Sequence, residues 1–243
     1  MLTFGRERTY SGRKTAEFAH DRHQLLVAAN GAFSVRNNSG TWTVPNGRAA
    51  WIPAGVRHQL QPLPAARVLG LYLQRDAARR VRNACAVLEL TPLLRAIADH
   101  VCAVESMRGD DPPAKRLFGV LLDQLSLQRE LALFVPALEE PFTQRVAAAL
   151  DADPTDTPRI RDLAAGLGVS GRTIERAFAA DASMTIGEWR QRSRVCRAIE
   201  LLAGGAAVKD VALEVGYETP SAFVAAFRKI VGTTPGRVFI FRS

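Results

Sequence analysis

No stretch of this chain is apolar for long enough to span a bilayer, and the opening MLTFGRERTYSGRK has no apolar segment of the kind a secretory leader needs. Both absences predict a cytoplasmic protein with no membrane partner. Cysteine is scarce. Cys85, Cys102 and Cys196 are an odd number, far apart and without metal-ligand spacing, so neither a disulfide frame nor a zinc site is expected. They read as small buried hydrophobes, with redox sensing as the sharper alternative. Charge is missing where it would say most. The net charge of +8 and a pI near 10.1 suit a polyanionic partner. Yet residues 136–243 hold 14 Lys/Arg against 13 Asp/Glu, while residues 1–135 hold 18 against 11. Any polyanion-binding surface in the C-terminal part must come from local placement of arginines.

What is present fits two ordinary globular domains: 243 residues, 47% hydrophobic and 23% charged. The most organised stretch is 208–238. Val208, Val211, Ala212 and Val215 make one apolar face of a short helix. Gly216 allows a sharp turn, Thr219 can cap a second helix, and Pro220 suits its first position. Phe223, Phe227 and Val231 line one side of that helix, Arg228 and Lys229 stay in solvent, and Gly232 and Pro235 close it. Two short helices around a glycine turn describe a helix-turn-helix.

The pattern occurs twice. Ala164-x3-Gly168 returns as Ala212-x3-Gly216 after 48 residues, and Ile174 and Phe178 return as Phe223 and Phe227 after 49. One extra residue in the second turn accounts for the change of offset. The first unit is expected to open with a turn over 151–156, a Thr157 cap and Pro158, with Ile160, Leu163, Ala164 and Leu167 as its apolar face and Ser170 capping the next helix. A linking helix over 186–202 joins the units, with Arg190, Arg192, Arg194 and Arg197 on its outer faces.

At Ala212, Gly216-Tyr217, Ser221, Phe223, Phe227-Arg228, Gly232 and Pro235 the chain resembles the AraC/XylS family of bacterial transcription regulators. The resemblance implies double-stranded promoter DNA as partner, with RNA polymerase as a further candidate partner. It places base contacts on the outward faces of the two recognition helices: Arg172, Thr173, Glu175 and Arg176 in the first, Ser221, Ala222 and Ala225 in the second. Arg190, Arg194, Arg197, Arg228 and Lys229 are expected at phosphates, which supply affinity without sequence information. A solvated helix face is the plainer reading of the linking arginines.

The N-terminal part alternates in short strand-like runs (18–29, 32–36, 41–44 and 67–73) broken by turns such as Asn37-Asn38-Ser39-Gly40, which implies a sandwich or barrel. His20, Gln24 and Gly31 (H-x3-Q-x6-G), followed by Gly47, Pro53, Gly55 and His58 (G-x5-P-x-G-x2-H), resemble the two cupin motifs. Cupins often hold a metal, but Phe18 stands at the first ligand position. Strand parity puts His20, Gln24 and His58 on one face and His23 on the other. They form either a weak divalent-metal set or a polar effector pocket walled by Trp51 or Tyr72, taking a neutral or weakly polar ligand because parity places no Lys or Arg among the three.

Two helices should follow, one from Thr91-Pro92 to near Gly109 and one carrying Leu117, Phe118, Leu121, Leu122 and Leu125; by resemblance they pack on the cupin and pair subunits into a homodimer. The expected fold is α+β: a cupin-like β-barrel with two helices over 1–135, for effector binding and dimerisation, then an all-α tandem helix-turn-helix domain over 136–243. The expected protein is a regulator and not an enzyme. A metal-dependent cupin enzyme and a metal sensor are the alternatives.

Overall fold

The computed structural model describes residues 3–76, 78, 81–152 and 160–239. Of the turn and cap expected over 151–158, residues 151–152 instead finish the helix Pro141–Ala152, and 153–158 lie outside the described residues. The chain forms two compact units, one of residues 3–37 and 42–132, the other of 38–41 and 133–239.

The first unit is built on an antiparallel sheet. Its strands are β1 Thr3–Ser11, β2 His23–Asn37, β3 Gly40–Val44, β4 Arg48–Ile52, β5 Gln59–Leu73, β6 Ala86–Glu89, β7 Ser106–Met107 and β8 Glu130–Leu131. They pair in the order β7-β1-β5-β2-β4-β6-β8, with β3 on β2. β2 is one 15-residue strand where the sequence suggested two. Its register slips between Ala28 and Asn30 and again between Gly31 and Ala32, and Gly31 takes φ +70 with no room for a Cβ beside the Ala65 carbonyl. A bulge bends the strand there without ending it.

Residues 17–22 are not a strand, since only Phe18 bridges to His58. Leu25, Val27, Trp51, Leu69, Leu71 and Leu88 share one sheet face and pack against helices α1 Pro92–Ala103 and α2 Pro112–Leu127. Thr91 caps α1 as expected, its hydroxyl accepting from Leu94 N at 3.2 Å. α1 ends at Ala103, well short of Gly109. Glu105 turns at φ 60, and Ser106 and Met107 then pair with β1. An edge strand's open hydrogen-bonding groups outcompete further helix at this point.

The second unit carries the short strand β9 Phe134–Pro136 and helices α3 Pro141–Ala152, α4 Ile160–Gly166, α5 Gly171–Ala182, α6 Ile186–Ala203, α7 Val208–Glu214, α8 Pro220–Val231 and α9 Pro235–Val238. Pro235 does more than stop α8: it opens α9 from its first turn. The connecting segment is built into the first helix-turn-helix core, where Val135, Leu138 and Phe142 pack beside Ile174, Phe178 and Trp189. Asp181, near the end of α5, ties it down by accepting from Glu139 N at 3.1 Å, from Glu140 N at 3.3 Å and from the Thr143 hydroxyl.

Burial raises the Asp181 pKa, but the three hydrogen bonds outweigh it and leave the carboxyl below its ordinary 3.8. A depressed carboxylate pKa contributes stability that is present above the unfolded value and lost as pH falls through the folded one. Asp181→Ala should therefore cost about 1–2 kcal/mol at neutral pH, the scale of a helix N-cap. The cost should shrink below pH 3.8. Urea unfolding at pH 7 and pH 3 checks both the size and the sign.

Candidate functional site

The two helix-turn-helix units are close copies in their turns. Gly168 and Gly216 both take left-handed backbone, φ 65 and φ 80. In each, the residue after the glycine donates back to the alanine four positions before that glycine: Val169 N to Ala164 O and Tyr217 N to Ala212 O, both 2.9 Å. The next helix is then capped by a hydroxyl. Ser170 accepts from Thr173 N at 3.1 Å, and Thr219, one position later relative to its glycine, accepts from Ala222 N at 3.2 Å. The extra residue inferred from the 48 and 49 offsets sits in the second turn. α6 joins the units with a Thr185/Glu188 capping box and runs about 27 Å.

On α5, Ile174 and Phe178 are buried, while Arg172 and Arg176 stand exposed one turn apart. Thr173 and Glu175 are half-buried, and the Thr173 hydroxyl lies 2.8 Å from that of Ser170, so it serves the cap. On α8, Phe223, Phe227, Ile230 and Val231 are buried, and Ser221, Ala222, Ala225, Arg228 and Lys229 are exposed.

The linking-helix arginines are engaged within the unit. Arg197 donates to Glu200 at 3.0 Å and lies 3.7 Å from Glu214 on α7, Arg194 covers the Tyr217 ring at 5.6 Å, and Arg190 is half-buried. A phosphate contact by Arg197 would first have to break those pairs. These contacts fasten α7 and its turn to α6, a role parity on one helix could not show.

In the first unit the structure brings His20, Gln24, His58 and Tyr72 together and leaves Trp51 out. The His20 ring lies 5.2 Å from Tyr72 and 6.4 Å from His58, with Phe18 4.6 Å from His58. Gln24 pairs with Tyr72 across β2 and β5. Trp51 pairs with Leu25 and faces the helices, donating to Arg82 O at 3.0 Å. It stacks on His23, which lies on that same side as parity requires. His23 is fully used, its Nδ1 accepting from Ala54 N at 3.1 Å and its Nε2 donating to Arg75 O at 3.3 Å.

His58 is fully buried, and its Nδ1 lies 2.9 Å from the Val56 carbonyl. A carbonyl only accepts, so Nδ1 carries the proton and Nε2 presents a lone pair. Burial lowers the pKa of both His58 and His20. For His58 the Val56 bond opposes that shift, and for His20 Asp21 opposes it while Arg8 adds to it.

Sequence reading missed the arginines of β1. The register Phe4↔Tyr72, Arg6↔Gly70 and Arg8↔Val68 puts Arg6 and Arg8 on the face of Tyr72, where both act on its phenol. Phe4 stacks on Tyr72 at 4.6 Å, with Arg6 and Arg22 over its ring. Nothing local in TFGRERTYS announces that pairing.

The cupin resemblance implies a metal position, and the donors do not fit a resident ion. Among the described residues no three of His, Cys, Asp and Glu come together. Phe18 stands where a ligand would, leaving two imidazoles and an amide. Among the described residues no helix is long and apolar enough to cross a membrane.

Residues 3–140 match the AraC-like ligand binding domain family, and residues 163–239 match a helix-turn-helix domain family. The chain is 28% identical over 218 residues to the HTH-type transcriptional regulator NimR of Escherichia coli, covering 90% of this chain and 80% of that protein. It is 23% identical to the virulence regulon transcriptional activator VirF of Yersinia enterocolitica, covering 90% and 89%. Among solved structures, unsaturated fatty acid bound ToxT from Vibrio cholerae aligns over 97% of this chain and 92% of its own at 12% identity and a TM-score of 0.38. A ligand-binding domain family that spans more than half of the sequence, followed by paired helix-turn-helix units, establishes that the chain belongs to the AraC family of DNA-binding, effector-responsive transcription regulators.

Proposed function

We propose a one-component cytoplasmic regulator that acts as a homodimer, reads two successive major grooves of promoter DNA and meets RNA polymerase there. The observation that carries the DNA half is the duplicated turn: two left-handed glycines, each leading into a hydroxyl-capped helix with an exposed outer face. A rod of α6's length suits recognition helices about 34 Å apart, one turn of B-DNA. Arg172 and Arg176 read bases, and Arg228 and Lys229 touch phosphate. Ser221, Ala222 and Ala225 offer one hydroxyl and two methyls, so the second helix reads a degenerate box.

In the N-terminal unit, His20, Gln24, His58 and Tyr72 hold the effector, supported by the convergence of a few polar groups on an apolar sheet face. The protein catalyses no reaction of its own, because a metal-dependent cupin enzyme needs fixed protein ligands that this set lacks. Any metal it takes up is substoichiometric and dispensable for DNA binding.

Selection of bound sequences from random duplexes by the purified full chain tests the proposal. The expected product is one sharp box and one degenerate box a helical turn apart. Two equally sharp boxes refute the division of labour, and no enrichment refutes DNA reading altogether.

A further inference from the structure

The effector-domain reading leaves open what kind of molecule is sensed; the following inference rests on that reading and extends it to the ligand's chemistry. Two acceptors are buried with no hydrogen-bond partner among the described residues: His58 Nε2, on a side chain 0% exposed, and Gln24 Oε1, on one 1% exposed. They come from different segments, His58 from its bridge to Phe18 and Gln24 from β2, and two rings link them: His20 lies 6.4 Å from His58 and 5.2 Å from Tyr72, which pairs with Gln24. Buried polar atoms are almost always bonded, and an orphan acceptor is unfavourable unless something regularly satisfies it. Neither atom can donate, because the proton of His58 is committed to Val56 through Nδ1. The missing partners are donors.

The surroundings narrow the class further. Phe18, His20 and Tyr72 are half-buried rings set edge-to-face, at 61° and 81°, an aromatic lining against which a further ring can pack. Arg6 and Arg8 lie on the same face, and Arg22 sits over Phe4, which stacks on Tyr72. Against them stands Asp21, while Glu17 is paired with Arg57 at 3.6 Å. The guanidiniums of Arg6 and Arg8 against the single carboxylate of Asp21 disfavour a cation.

We propose that the effector is an aromatic ring compound, uncharged or acidic, carrying two hydrogen-bond donors (hydroxyl or ring N–H) that it gives to His58 Nε2 and Gln24 Oε1. This revises the expectation of a merely neutral ligand, since parity had placed no arginine near the site.

Three probes test it on the full chain: resorcinol, which carries two ring hydroxyls; 1,3-dimethoxybenzene, the same ring without donors; and benzylamine, a cation. Resorcinol should raise Tm saturably and shift the His58 Nε2 resonance in a spectrum of only 4 histidines. The other two probes should do neither at equal concentration. Gln24→Leu, close in shape and without the orphan oxygen, should weaken resorcinol at least tenfold while raising the Tm of the free protein. An equal response to 1,3-dimethoxybenzene, tighter binding of benzylamine, or an unmoved His58 Nε2 would overturn the assignment. DNA selection needs no probe, so the two failures separate. A chain that enriches an operator but ignores resorcinol refutes this ligand class alone, and one that enriches nothing refutes the regulator reading.

Discussion

Arg176→Ala is expected to erase most of the preference for operator over random duplex while leaving the fold intact. Arg176 and Arg172 are exposed on the outer face of α5, one turn apart, and neither sits among the buried contacts of Ile174 and Phe178. An arginine placed at guanine O6 and N7 discriminates by about 1–3 kcal/mol, so each substitution should cost roughly 5- to 150-fold in specificity ratio. Lys229→Ala is the contrasting variant. It should weaken all sequences alike and flatten the log–log salt dependence by about one unit, as a lost phosphate contact does. Binding of matched and scrambled duplexes at several salt concentrations reads both quantities. If Arg176→Ala lowers affinity for both duplexes equally, the residue touches backbone and the reading face has been misplaced.

Phe227→Ala should cost about 3–5 kcal/mol, more than Asp181→Ala or any of the surface variants. Phe227 is fully buried and meets Phe223 edge-on at 5.6 Å. Because domain stability is only about 5–15 kcal/mol in total, such a loss should unfold a visible fraction of the second helix-turn-helix at physiological temperature. Ser221→Ala, exposed on the same helix, should stay within about 0.5 kcal/mol. Urea unfolding of the two variants side by side is the measurement. A change below about 1 kcal/mol for Phe227→Ala would show that this aromatic pair is not what holds the unit together.

The C-terminal architecture was legible because its information is local. A glycine with positive φ, a hydroxyl cap and a buried pair at i and i+4 (Ile174 and Phe178, then Phe223 and Phe227) lie close together in the chain, and two copies of that pattern check each other. Helix α6 was readable for the same reason, down to its start after Thr185. The same locality hid what the arginines of α6 do. Arg197 reaches Glu214 and Arg194 reaches Tyr217 across a turn of chain, and one helix's periodicity says nothing about a neighbour's carboxylates or rings.

In the N-terminal unit, alternation along β2 set Gln24 and His23 on opposite faces, since successive side chains must point to opposite faces, whereas His20 and His58 lie outside the strands and come near one another through the Phe18–His58 bridge instead. The same rule, applied across β4, would have sent Trp51 to the helix side, had its register against Leu25 been known. Register is a pairing between distant segments, so it was invisible. The sequence by itself determined the two-part organisation, the doubled helix-turn-helix, the residues that cap and fill it, and the opposite faces of His23 and Gln24. These follow from short-range backbone sterics and side-chain periodicity. Only the tertiary structure decided that β1 lies beside β5 and carries Arg6 and Arg8 to Tyr72, and that His58 Nε2 and Gln24 Oε1 are buried without a donor. Both facts depend on contacts between residues far apart in the chain, or on burial by them, and long-range pairing and burial arise only when the whole sheet closes.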